Sequence, residues 1–197
     1  MDNCSTLVNP SDEYLELVLE KSATVLNTRL LVNGKARYRI STLDRDAAHT
    51  KVTDLRTNEE MSSVKRRTFF ATKVQFARRF GGQAIKKDKW MVEGKLDNGY
   101  DAWVINSESG RFVWRWDVEK RMVLTAENAP DDIIAYVKDE PPVFALMVKP
   151  AAEGNLDEII LVFAILEQHL RLGVKALRVA DGWGADERST ITGTPLR

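Results

Sequence analysis

Asp157-Glu158-Ile159-Ile160-Leu161-Val162-Phe163-Ala164-Ile165-Leu166-Glu167-Gln168-His169-Leu170-Arg171-Leu172 is the stretch whose surroundings decide the fold. Residues 159–166 are apolar without a break, so a helix here offers water no face and must be enclosed. A membrane span needs about 20 apolar residues, and this run ends after eight, at Glu167. The sequence therefore predicts a short buried helix over 157–172. Asn155 should cap its start, with Glu158 as the reciprocal partner of a capping box, and Gly173 should end it.

What surrounds the helix is strand-like. From Tyr14 onward the chain breaks into short alternating runs separated by turn signals, the pattern of an all-β domain. Leu15, Leu17 and Leu19 face one way while Glu16, Val18 and Glu20 face the other. Asn33-Gly34 suits the positive φ angles of a two-residue hairpin turn, and Thr57-Asn58-Glu59-Glu60 marks another. Further runs extend to Phe144–Lys149, giving about twelve strands. Phe112, Trp114 and Trp116 alternate, so they share one strand face; packed inward they would meet Phe163 and Leu166, leaving Val113 and Arg115 outward.

The organisation expected is a flexible lead over 1–12, a domain over 13–173 and a disordered tail over 174–197. In that tail Trp183 either anchors back on the body or meets a partner. Cys4 is the single cysteine, which excludes an internal disulfide framework and suits a reducing compartment. Met1-Asp2-Asn3-Cys4-Ser5-Thr6 has neither a secretory nor a myristoylation signal, and Thr194-Pro195-Leu196-Arg197 is not a prenylation box. A cytoplasmic, monomeric protein without a transmembrane segment is the expectation, peripheral to a membrane where a basic face meets lipid.

The order of elements, a β-rich body closed by a hydrophobic helix, resembles the tubby C-terminal-like superfamily of tubby proteins, phospholipid scramblases and plant LURP-one-related proteins. The likeness is greatest to an uncharacterised fungal family of such domains. It is carried by Asn33-Gly34-Lys35-Ala36-Arg37-Tyr38-Arg39-Ile40-Ser41-Thr42, by Ser109-Gly110-Arg111-Phe112-Val113-Trp114-Arg115-Trp116 and by Leu156–Glu167, and it spans roughly residues 14 to 173. The resemblance implies a closed or nearly closed antiparallel β-barrel of about twelve strands around the C-terminal helix. It lends no catalytic motif. Scramblase features are missing: there is no cysteine cluster and no membrane-length helix. Tubby proteins bind phosphoinositide head groups, but their binding residues do not align one by one with this chain.

Charge segregation is the strongest functional signal. Basic and acidic residues balance at 29 each, yet residues 64–95 carry ten basic and two acidic side chains, whereas 127–158 carry two and eight. Arg66, Arg67, Arg78, Arg79, Lys86 and Lys87 are the candidate ligands for anionic lipid or a phosphorylated partner, since guanidinium groups grip phosphate oxygens in a fork. The bland account is that these side chains face water and that edge lysines block aggregation. Nucleic acid is a weaker use of the same patch, because Phe69, Phe70 and Phe76 fit core packing equally well. Pairing of basic and acidic regions between copies gives a self-assembly or protein-interaction alternative. An enzyme or small-ligand carrier with a cleft is the third reading. It lacks support: His49 and His169 have no metal-ligand partners at useful spacing, no nucleophile elbow or phosphate loop is present, and no cofactor is called for.

Overall fold

Alternation along the chain becomes one antiparallel sheet of thirteen strands among the described residues. The computed structural model describes residues 14–43, 48–66, 70–96 and 99–189, with side chains as far as Leu172. The expected lead at 1–12, Arg67, Phe69 and the side chain of Trp183 therefore lie outside the described residues. The first half of the chain gives β1 (Leu15–Leu19), β2 (Thr28–Val32), β3 (Lys35–Thr42), β4 (His49–Asp54), β5 (Glu59–Lys65), β6 (Lys73–Phe76) and β7 (Ile85–Lys86). A single helical turn, α1 (Lys87–Trp90), leads into β8 (Met91–Lys95), β9 (Asp101–Ser107), β10 (Gly110–Asp117), β11 (Arg121–Ala126), β12 (Ala129–Glu140) and β13 (Val143–Val148). The chain then enters α2 (Leu156–Ser189).

Each half is a meander, and β1 joins them by pairing with β13 from Leu15↔Val148 to Val18↔Ala145. Asn33 (φ 50°) and Gly34 (φ 74°) take the left-handed geometry that the β2–β3 turn requires. The hydrogen-bonded ladder does not close into a barrel: β7 and β8 are the two edges. β7 is only two residues long, and the chain turns inward after it to bury Trp90 instead of continuing the pairing.

The sheet wraps α2. Every residue from Leu156 to Ala164 is buried, which one flat sheet could not achieve. Phe163 meets Phe144 of β13 with ring centroids 6.3 Å apart. Trp114 is buried and Phe112 and Trp116 pack partly buried against the core, so the aromatic face points inward as expected. Glu167, the residue that ends the apolar run, is 0 % exposed. Arg121 holds it in a fork (Nε–Oε2 3.1 Å, Nη2–Oε1 2.9 Å), and Arg171 Nε donates to Oε1 at 2.6 Å.

Two details of the helix differ from the sequence reading. Asn155 does not cap it, because α2 emerges from a 3-10 turn (Pro150–Asn155) and no extended cap residue exists. Gly173 does not end it: one interior glycine costs about 1 kcal/mol, and Val174-Lys175-Ala176-Leu177-Arg178 carries the helix on to Ser189.

Loops of an antiparallel meander alternate between the two ends. The β1–β2, β3–β4, β5–β6, β8–β9, β10–β11 and β12–β13 connections share the end where Gln168–Leu172 leave the sheet. Arg66 Nη2 donates to Gln168 Oε1 (2.8 Å) and Arg171 Nη1 to the Ser22 carbonyl (2.6 Å) there. The opposite, entry end holds the start of α2 together with the β2–β3, β4–β5, β6–β7, β9–β10 and β11–β12 connections.

Candidate functional site

The five basic residues singled out from the sequence that lie among the described residues do not form one surface. Arg79 is drawn into the entry end, its side chain 12 % exposed. It follows β6 and precedes a tight 3-10 turn in which Phe80, Gly81 and Gly82 all have positive φ. That turn is pinned by the Phe76–Phe80 ring contact and by Phe80 N–H donating to Glu108 Oε1 at 2.8 Å. Arg79 Nε then meets both Asp157 oxygens (3.1 and 3.0 Å), while Nη2 donates to the Gly154 carbonyl (2.5 Å) and Asn155 Oδ1 (2.7 Å). Its donors serve the fold.

Glu158 completes this cluster. Trp90 Nε1 donates to its Oε1 at 2.9 Å, Ser107 Oγ donates to Oε2, and Ser62 Oγ donates to the Asp157 carbonyl at 2.9 Å. The first turn of α2 thus ties β5, the β6–β7 loop, α1 and β9 together across the open seam. Burial pushes the Glu158 carboxyl above its ordinary value, against the pull of Ser107, Trp90 and Arg79. One guanidinium serves two carboxylates here: Arg79 Nε is 3.0 Å from Asp157 and 3.6 Å from Glu158.

A raised folded value means that the Glu158 contribution is whole below the ordinary carboxylate range and is lost as pH rises through the raised value. Glu158→Gln, always neutral, is expected to escape that loss. Its urea midpoint should gain on the wild type as pH goes from about 4 to about 8. A gap between the two proteins that stays constant with pH would show that burial does not control this carboxyl.

The remaining candidates are placed differently. Arg66 reaches Gln168 and Thr50 on the interior side of the exit end (2.8 and 3.3 Å). Arg78 is exposed and ion-paired with Glu59 at 3.1 Å. Lys86 and Lys87 stand at the end of β7 and the start of α1, and Lys87 N–H donates to the Thr72 carbonyl at 2.9 Å.

Lys86 has companions that the sequence did not single out. Pairing runs Lys65↔Lys73 between β5 and β6 and Lys73↔Lys86 between β6 and β7. The neighbouring row, Val64↔Val74↔Ile85, faces the core, so the three exposed lysines stand side by side on the outer face. Cβ atoms of directly opposed strand residues are about 4.5–5.5 Å apart, and like charges so placed are destabilising. Among the described residues none of the three has an ion-pair partner. Only the register could reveal this row: the β5–β6 connection is seven residues long and fixes no pairing by itself.

Large apolar side chains gather at the exit end. Leu43, Phe70, Tyr100 and Val118 are exposed in the β3–β4, β5–β6, β8–β9 and β10–β11 loops, and Leu172 is exposed on α2. Phe70, 71 % exposed, lies in the loop that joins Lys65 to Lys73.

At the entry end a cavity of about 370 Å³ is lined by acids. Four of its six acids are ion-paired: Asp54 with Arg56, Glu59 with Arg78, Glu60 with Lys51, Asp157 with Arg79. No group of His, Cys, Asp or Glu among the described residues could hold a metal ion. No helix among them is long and apolar enough to cross a membrane.

No curated protein matches the chain. An X-ray structure of a protein from Arabidopsis thaliana is similar at 11 % identity and a TM-score of 0.49, covering 79 % of this chain and 92 % of that one. A sequence model described as "Family of unknown function (DUF6593)" matches residues 23–172, which is most of the sheet and the buried part of α2. The chain belongs to that family of unknown function.

Proposed function

We propose that this protein is a non-enzymatic binding module that docks its exit end on an anionic lipid surface. Lys65, Lys73 and Lys86 supply the attraction, with Lys87 beside them, and Phe70 and Leu43 enter the interface. The observation that carries the reading is the lysine row. Protection of an edge strand accounts for Lys86 on β7, but Lys65 lies on β5, two strands inside the edge. Three like charges in direct register weaken the sheet, and a surface of negative headgroups removes that cost. A juxtamembrane lysine is worth about 1 kcal/mol at an anionic leaflet, so three give a modest affinity that apolar loop tips can supplement. The kinship with tubby-like domains belongs to the same proposal, as does the finer architecture of a nearly closed barrel whose seam α1 fills with Trp90.

Replacing Lys65, Lys73 and Lys86 together by glutamine tests it. The triple variant should fold at least as well as the wild type and bind phosphatidylserine vesicles more than about a hundredfold more weakly, the equivalent of about 3 kcal/mol. Unchanged vesicle binding, or binding equally strong to neutral vesicles, would overturn the assignment.

A further inference from the structure

The entry end holds a second cavity, of about 470 Å³, lined by Leu15, Val32, Ala36 and Tyr38 beside Lys35, Arg37, Arg56 and Glu153. Its size is within the range of small-molecule sites, and its walls combine an apolar surface with a few charged groups, as such sites do. We propose that this mouth binds a small organic phosphate monoester, gripped by Lys35, Arg37 and Arg56. The site is separate from the lysine row, which lies toward the other end of the sheet.

Arg37 carries the argument. Its Nε–H is buried and donates to no partner, although buried donors in folded proteins are nearly always satisfied. The guanidinium lies 5.3 Å from the centroid of the Tyr38 ring, and its Nη2 is 3.8 Å from Asp54 Oδ2, too long for a hydrogen bond. The same guanidinium is drawn to the Tyr38 hydroxyl, yet its Nε–H stays unsatisfied, and a small turn of the side chain presents that edge as a fork for an oxyanion. Arg56 is closer to Asp54, at 3.2 Å, and Lys35 has no ion pair among the described residues. Three cations therefore face two acids, Asp54 and Glu153. Burial pushes the Tyr38 phenol up, against the pull of the Arg37 guanidinium, so at neutral pH it keeps its proton and remains a donor. Glu153 cannot accept a bare anion, but it can accept a hydroxyl from the organic part of the ligand. That combination favours an ester with hydroxyl groups over inorganic phosphate.

Calorimetric titration of the full chain with glycerol 3-phosphate at low ionic strength tests the site. Vesicles carrying phosphatidic acid form a second arm, because that lipid presents the same phosphate monoester on a membrane. The wild type should bind glycerol 3-phosphate saturably. Lys35→Met and Arg37→Met should each bind about tenfold to a hundredfold more weakly, and the glutamine triple at Lys65, Lys73 and Lys86 should bind as the wild type does. Lys35 is an exposed turn-flanking residue, so its variant folds whatever Arg37 does; thermal melting checks both. Arg37-dependent binding of the vesicles alone would keep the site and assign the phosphate to a lipid headgroup. Absence of saturable binding to either form, or saturable binding that both single variants retain, would overturn the proposal.

Discussion

Replacing Phe163 by aspartate is expected to abolish folding, with loss of both the cooperative thermal transition and the near-ultraviolet circular dichroism. Phe163 is 0 % exposed, against Phe144 and inside the unbroken buried run of α2. Truncating a buried phenylalanine costs about 3–5 kcal/mol, and an unpaired buried carboxylate adds several more. A typical domain has only about 5–15 kcal/mol in total. Rescue by a neighbouring cation is blocked: Arg121 of β11 and Arg171 are already committed to Glu167, one turn further on. Phe163→Leu should fold, with a measurably lower melting temperature. A cooperative, native-like aspartate variant would mean that the sheet does not enclose this helix.

Arg79→Met is expected to cost about 3–5 kcal/mol at neutral pH, because it strands Asp157 and Glu158 in the entry end without their cation. The deficit should shrink as pH falls, since protonation of Glu158, already favoured by burial, removes its stranded charge. Its neighbour provides the contrast. Arg78 is 82 % exposed and, among the described residues, pairs with Glu59 at the surface, so Arg78→Met should change stability by no more than about 1 kcal/mol. Urea unfolding of the two variants at neutral and acid pH makes the comparison. Equal, small effects would show that the Arg79 cluster is not what ties the helix to the seam. Reversing Arg78 and Arg79 together, which from the sequence looks like a clean test of a binding surface, would instead break the fold.

The pattern of these two arginines shows what a sequence yields and what it withholds. Strand alternation, the Asn33-Gly34 turn and the enclosed helix were legible because each depends on neighbours within a few positions. The inward face of Phe112, Trp114 and Trp116 followed from period two, though Phe163 packs on Phe144, a partner that periodicity cannot name. Asn155 and Glu158 read as a local capping box because that motif is local. In the fold they turn to Arg79, Ser109, Trp90 and Ser107, all distant in sequence. The open seam was equally hidden, since closure depends on whether β7 is long enough to pair onward.

The same limit applies to the candidate site. A net positive segment over 64–95 was plain in the composition, but burial divides it. Arg79 and Arg66 turn inward, Arg78 is paired, and Lys86 stays outside with two lysines brought beside it by the register of β5, β6 and β7. Charge density along a chain locates a region; strand pairing decides which of its charges act together. Cavities at the entry end, made by residues from β1, β2, β3 and the β4–β5 turn, had no linear signature at all.

Cosedimentation of the wild-type protein with vesicles of graded phosphatidylserine content, at low and physiological salt, tests the membrane-docking claim most directly. Binding should rise with anionic content, weaken with salt through screening of the lysine row, and vanish on phosphatidylcholine alone. Failure to bind any anionic vesicle even at low salt would contradict it.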